Sequence, residues 1–138
     1  MSWQEKMKEW GGADIAFLSE DGECITFVVV GEPRLIKGKF KNQDTERIAC
    51  PLITQEGFQL LVAGKRLARR LSKHEDDFET KAFTVVREGV ADDVSTKYIL
   101  TVCTDAELTK RLFGLKTTDF EESMIDEAVE YAESISKN

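Results

Sequence analysis

Apolar and polar positions in this chain follow the period of β-strands over most of its length. Residues 24–33 form a run of β-branched and apolar side chains, which predicts a buried strand. Residues 35–43 and 45–53 alternate apolar and polar positions on either side of turn residues, which predicts two further strands. The strand pattern returns over residues 79–88 and 95–103. The sequence therefore predicts five strands.

The period changes to that of a helix between the third and fourth predicted strands. Over residues 58–73, Leu60, Gly64, Leu67 and Leu71 fall on one helical face. The cations of the segment gather on the other side: Lys65, Arg66, Arg69, Arg70 and Lys73. The sequence therefore predicts an amphipathic helix with a basic outer face.

The order of predicted elements favours one architecture. Three strands, a helix and two strands are the order of the five-stranded Greek-key OB barrel, whose helix connects strands three and four. Helical spacing also predicts a short N-terminal helix and C-terminal helices at residues 105–113 and 119–136. We therefore expect an all-β core with added helices. Residues 1–118 are predicted to form the OB domain, and residues 119–138 an acidic C-terminal helix or tail.

The net charge alone argues against a nucleic-acid partner, but the distribution of charge along the chain does not. The net charge is −7, which disfavours a nucleic-acid partner. However, residues 119–138 hold seven acids and one base. Residues 34–47 hold five bases and two acids, and residues 65–73 hold five bases and no acid. Phosphate binding depends on such clusters rather than on the total, so a nucleic-acid partner is compatible with the sequence.

Several other classes of protein are disfavoured. No apolar run approaches the roughly 18 residues of a membrane span, and the first residues carry charges where a secretory signal is apolar. These features favour a cytoplasmic protein, in the host cytoplasm if it is viral. The three cysteines include no close pair, and His74 is the only histidine. The sequence therefore predicts neither a metal nor a cofactor.

Four segments resemble OB-fold single-stranded-DNA-binding proteins of bacteriophages, archaeal viruses and archaea. The segments are LSEDGE (18–23), FVVVGEPRLIKGKF (27–40), ERIACPLI (46–53), and VVREG (85–89) followed by STKYILTV (95–102). The resemblance implies binding of single strands without sequence preference, for their protection or presentation in replication or recombination. The chain departs from two relatives in this group. It has no zinc-binding insertion, and its C-terminus lacks an Asp-rich, Pro-Phe tip.

A single-strand binder needs cations along a groove and aromatic faces on which bases stack. Alternation along the second predicted strand places Lys37, Lys39 and Lys41 on one face, whereas Phe40 points the other way, towards the core or a base. The face of OB strands two and three is the binding surface. The predicted nucleic-acid-binding residues are therefore Arg34, Lys37, Lys39, Phe40, Lys41, Arg47, Arg87, Lys97 and Tyr98.

The sequence leaves two interpretations open for the basic helix and two for the acidic C-terminal segment. The cations of the basic helix form the solvated face of an amphipathic helix, or they bind a longer single strand that wraps around the domain. The acidic C-terminal segment folds back on the barrel or on a second subunit, or it recruits a protein partner and competes with DNA for the basic groove. A homo-oligomer is left open by the sequence.

The absence of catalytic motifs predicts a binding protein rather than an enzyme. The chain contains no phosphate-binding P-loop, no H-E-x-x-H and no nucleophile elbow. Asp92 and Asp93 in a loop leave a metal-dependent nuclease or transferase as a minor alternative. Single-stranded DNA is the preferred ligand, with RNA as its nearest alternative. A protein-binding OB adaptor without a nucleic-acid role is the second hypothesis.

Overall fold

The computed structural model describes residues 15–16, 18, 21–40, 43–89 and 96–136. This part of the chain is mainly β-sheet with added helices, as the sequence predicts. The elements are, in order, β1 (Ile15–Ala16), β2 (Cys24–Val29), β3 (Arg34–Phe40), β4 (Gln43–Thr54), β5 (Gly57–Ala63), α1 (Lys65–Ser72), a short 3-10 helix (Glu75–Asp77), β6 (Phe83–Glu88), β7 (Lys97–Val102), α2 (Ala106–Asp119) and α3 (Ser123–Ser136). None of the described helices is long and apolar enough to cross a membrane. The predicted N-terminal helix lies outside the described residues.

The long strand β4 organises the sheet. The strand order is β1-β5-β4-β2-β6-β7, and β3 also pairs with β4. One edge of β4 pairs with β5, while its other edge pairs first with β3 and then, at Leu52 and Ile53, with β2. All of these pairs are antiparallel, and only β1 runs parallel to its neighbour β5. Strands β2 and β3 therefore follow one another along the same edge of β4, separated by residues 30–33.

The pairings among the described residues leave the sheet open. On the edge away from β4, β5 pairs with the short β1, and β7 pairs with β6 alone. Tyr98 of β7 and Leu61–Ala63 of β5 line the same narrow cleft without pairing. The closed five-stranded barrel predicted from the sequence is therefore not confirmed.

The helix predicted to begin at residue 58 begins later. Residues 57–63 form β5, because the turn at Gln55 and Glu56 folds them back onto β4. Gly57 takes a φ of 102° there, in the left-handed region that favours glycine. The apolar run Leu60–Ala63 is buried throughout, and such a run fits a buried strand as well as a helix. The prediction was therefore wrong for residues 58–64, and α1 starts only after Gly64.

Two apolar clusters lie on opposite faces of the sheet. Because side chains alternate along a strand, Leu52 of β4 packs with Leu67 and Leu71 of α1. The next residue, Ile53, belongs to the other cluster, which includes Leu112 of α2. The sheet therefore lies between α1 on one face and α2 with α3 on the other.

The acidic C-terminal helix α3 is part of this second cluster. Its buried side chains are Ile125, Ala128, Val129 and Ala132. Ile125 approaches the backbone so closely that a Cβ added at Gly31 would lie 2.7 Å from its Cδ1. Its acidic residues Asp126, Glu127 and Glu130 stay exposed. Residues 123–136 thus pack on the sheet, with their charges turned outward.

We expect Ile125→Ala to lower the free energy of unfolding by about 2–4 kcal/mol, because it opens a cavity between α3 and the sheet. The control is Glu127→Ala on the exposed side of α3, for which we expect a change within about 0.5 kcal/mol. Urea denaturation of both variants measures the difference. Equal, small effects would contradict the packing of α3 against the sheet.

Candidate nucleic-acid interface

The β3–β4 hairpin carries the predicted row of lysines, and acids stand directly opposite it. Lys37 pairs with Glu46, and the backbone of Lys39 pairs with that of Asp44. Glu46 also accepts a hydrogen bond of 3.0 Å from Lys65 Nζ. Lys65, and to a lesser degree Lys37, hold the pKa of Glu46 below its ordinary value. Lys37 therefore has a carboxylate at the opposite register position, which weakens its attraction for phosphate.

The hairpin does not bring the predicted arginines onto the same face as Lys37. Arg47 pairs with Ile36, and cross-strand partners share a face, so Arg47 and Lys37 lie on opposite faces. Arg34 Nη2 forms an exposed salt bridge of 3.0 Å with Asp126 Oδ1 of α3. The predicted site is therefore divided between two faces of the hairpin. Its Arg34 forms a salt bridge with an acid of the C-terminal helix α3.

Some predicted residues cannot be placed in this surface. Phe40 is described at its backbone, which pairs with Gln43. Lys41 of the predicted site, and Asp92 and Asp93 of the alternative metal site, lie outside the described residues. Besides Arg34, the described part of the hairpin therefore offers two exposed cations, Lys37 on one face and Arg47 on the other.

Arg87 is buried, with 8% of its surface exposed. Its Nη1 donates to Leu18 O at 2.7 Å and to Tyr98 Oη at 3.0 Å, and its Nε donates to Gly89 O at 2.9 Å. The guanidinium also lies 5.7 Å from the centre of the Tyr98 ring. Arg87 thus joins β6, β7 and the segment that follows β1. A guanidinium enclosed in this way has a structural role, so we do not include Arg87 in the interface.

The start of β7 meets the basic helix. Tyr98 is half-buried against the α1-side cluster, and its carbonyl oxygen accepts a hydrogen bond of 2.9 Å from Arg70 Nη1. Lys97, the preceding residue, is exposed. The structure therefore brings Tyr98 next to α1, whereas alternation along β7 places Lys97 on the opposite face of the strand.

Helix α1 carries the densest group of cations in the described chain. Leu67 and Leu71 are buried against the sheet, so the polar side of the helix faces solvent. Its exposed cations, with the residue that follows the helix, form what we term the α1 basic surface: Lys65, Arg66, Arg69, Arg70 and Lys73. No acid occurs from residue 57 to residue 74. In the described part of the chain, Lys65 is the one member that forms a salt bridge.

The α1 basic surface extends from the helix to neighbouring strands. A cleft of about 50 Å³ at the N-terminus of α1 is lined by Arg47, Gly64 and Tyr98, among others. The first turn of the helix contains no acid, so the positive end of its dipole adds to the field of the cations. At the other end of α1, Glu75 and Asp76 are exposed and bound the surface. The exposed cations around α1 are therefore its own, joined by Arg47 of β4, which lines the cleft at the N-terminus of the helix.

Sequence reasoning assigned the basic helix a secondary role because the OB helix usually lies away from the groove. The signal for a larger role was the absence of acids among its cations, from residue 57 to residue 74. The hairpin lysines lacked that feature, since Asp44 and Glu46 follow them in the sequence. That difference between the two basic segments is visible in the sequence, where residues 34–47 hold two acids and residues 65–73 hold none.

Known proteins do not assign a ligand to this surface. No protein-family model, curated protein or solved structure matches the chain. Within the described ranges, no group of three or more His, Cys, Asp and Glu side chains is placed to hold a metal ion. The ligand must therefore be inferred from the chemistry of the surface itself.

We expect Arg87→Met to lower the free energy of unfolding by about 1–3 kcal/mol, because it leaves Leu18 O and Tyr98 Oη without their donor. Arg66→Met, at an exposed position of α1, serves as the control and should change stability by no more than about 0.5 kcal/mol. Thermal and urea unfolding measure both. If Arg87→Met is as stable as the original chain, the buried network is not structural.

Proposed function

We propose that the protein binds single-stranded nucleic acid, DNA in the first place, and performs no chemistry on it. The observation that carries this proposal is the α1 basic surface, where five cations stand in a segment without acids. Arrays of exposed Lys and Arg attract phosphates and release their counterions, which drives binding without base readout. The proposed role is to protect or present single strands in replication or recombination.

The order of the strands supports an OB-type fold for this binder. In this proposal β2 and β3 together are the first OB strand, because both pair with β4 along one edge. Strands β4 and β5 are then the second and third, α1 is the connecting helix, and β6 and β7 are the last two. The barrel would close where Tyr98 faces the end of β5, with Leu18 in the seam.

The location of apolar side chains favours α1 over the usual OB surface. OB folds bind oligonucleotides on the face of strands two and three. On the outward side of β4 and β5, Leu60 and Val62 are buried under Leu112 and Ala128 of the C-terminal helices. Helices α2 and α3 therefore cover much of this surface, and the exposed cation that the outward side of β4 offers is Arg47. The solvent-facing cations of α1 are therefore the better candidate for strand binding.

A protein-binding module is the second candidate, and a specific surface favours it. On the outer side of β2, β6 and β7, six cross-strand partners are uncharged: Cys24, Thr26, Thr84, Val86, Ile99 and Thr101. The charged pair Glu88 and Lys97 lies at one end of them. Ile99 is 41% exposed. An uncharged patch of this kind suits a protein partner better than it suits phosphate.

An oligo-dT of about 30 nucleotides should bind more tightly than a duplex of the same length, and its affinity should fall steeply as salt rises. Fluorescence titration of the tryptophans at two salt concentrations measures both effects, with single-stranded RNA as a parallel ligand. Binding that does not depend on salt, or no binding at low salt, would reject the proposal in favour of the protein-binding module.

The double variant Arg66→Gln/Arg69→Gln should weaken this binding and lower the slope of log affinity against log salt by about 1.4, about 0.7 for each lost phosphate contact. The matched control is Lys110→Gln/Arg111→Gln, which removes one Lys and one Arg from exposed positions of α2 on the opposite face. We expect little change in the control.

A third variant, Lys37→Gln/Arg47→Gln, tests the hairpin. If it loses more affinity than the α1 variant while both remain folded, the interface lies on the hairpin, as the sequence pattern predicted. Equal losses from the α2 control would show that only the overall charge matters.

A further inference from the structure

A larger cleft opens between the start of β2 and the β4–β5 turn, at the end of β5 away from α1. Its volume is about 550 Å³, within the roughly 300–1,000 Å³ of small-molecule sites. The segment of Ile15, Ala16 and Leu18 forms one wall, the start of β2 another, and the β4–β5 turn closes the end. Because β2 pairs with β4 only at Leu52 and Ile53, its first residues diverge from the β4–β5 turn and leave this space. Helix α1, at the other end of β5, does not line it.

The lining of the cleft combines apolar walls with fixed polar groups. Leu18 and Ile25 supply apolar surface. The backbone N–H of Glu56 donates to Thr54 Oγ1 at 3.1 Å, and Thr54 Oγ1 donates to Gln59 Oε1 at 3.2 Å. Gln59 Nε2 in turn lies 3.4 Å from Glu56 Oε2, to which it donates. The amide and the carboxylate are thus held in place by neighbouring groups of the same turn.

The charged residues that line the cleft favour a ligand that donates hydrogen bonds and disfavour an anion. Glu23 and Glu56 line it, and the described lining contains no Lys or Arg. A phosphate would be repelled, whereas an amino group could donate to the carboxylates. A planar heterocycle could also pack against Leu18 and Ile25. Adenine, cytosine and guanine carry an exocyclic amino group, whereas thymine and uracil do not, and Glu is a known acceptor for the amino group of cytosine.

We propose that this cleft binds an amino-bearing nucleobase, either in a free nucleoside or in a bound single strand. Leu18 lines both this cleft and the small cleft beside α1, so the two adjoin. A strand whose phosphates contact the α1 basic surface therefore passes close enough to place a base in the larger cleft. The binding of a strand rests on the proposed function, while the binding of a free nucleoside does not.

Titration with nucleosides tests the cleft without a phosphate backbone. Adenosine and cytidine should bind at least about fivefold more tightly than uridine, and their chemical-shift changes should fall on Leu18, Ile25 and Gln59. Glu23→Ala/Glu56→Ala should abolish the difference. The control Glu32→Ala removes an exposed carboxylate outside the cleft and should leave the difference intact. Equal binding of the three nucleosides, or shifts elsewhere, would overturn the proposal.

Titration with oligo-dC and oligo-dT of equal length tests the cleft within a strand. Oligo-dC should bind more tightly, and Glu23→Ala/Glu56→Ala should remove that advantage without weakening the binding of oligo-dT. Salt-dependent binding of oligo-dT with no preference in either titration would overturn the cleft and leave the proposed function standing. Binding of adenosine without binding of any oligonucleotide would reject the proposed function and retain the cleft as a nucleoside site.

Discussion

The double pairing of β4 is the constraint on which the remaining structure depends. This strand pairs with β5 on one edge and with β2 and β3 on the other, so its second half lies inside the sheet. Residues 49–54 are buried, and because they alternate between faces, both faces of the sheet are apolar there. Helices must then cover both faces, which places α1 on one and α2 with α3 on the other.

This layering separates the charges of the chain. The cations of α1 and the acids of α3 lie on opposite sides of the sheet. With layers about 10 Å apart, the two groups are roughly 20 Å from one another, about twice the screening length at 0.1 M salt. In one molecule, α3 is therefore poorly placed to compete with phosphate at α1. Its nearest described contact with a predicted site residue is the salt bridge between Asp126 and Arg34.

The two basic segments contain equal numbers of cations but differ in how available these cations are to phosphate. Both have five in the sequence. Antiparallel pairing brings Asp44 and Glu46 opposite Lys39 and Lys37 in register, whereas Lys65 is the one cation of the α1 basic surface that forms a salt bridge in the described part of the chain. Register therefore decides which cluster is available to phosphate. The larger cleft differs again, because it combines carboxylates with apolar walls and suits a base better than a phosphate.

The features that depend on neighbouring residues could be predicted from the sequence: the C-terminal helices, the two basic segments, and the strands expected at residues 24–33 and 95–103, which the structure has at residues 24–29 and 97–102. Only the tertiary structure decided the start of α1, because the apolar run of β5 suits a helix or a buried strand until it pairs with β4. It also decided the role of Arg87, whose partner Leu18 is far away in the chain. The same holds for the division of the hairpin cations between two faces. Patterns along a chain report local conformation, whereas burial and charge compensation depend on which distant segments meet.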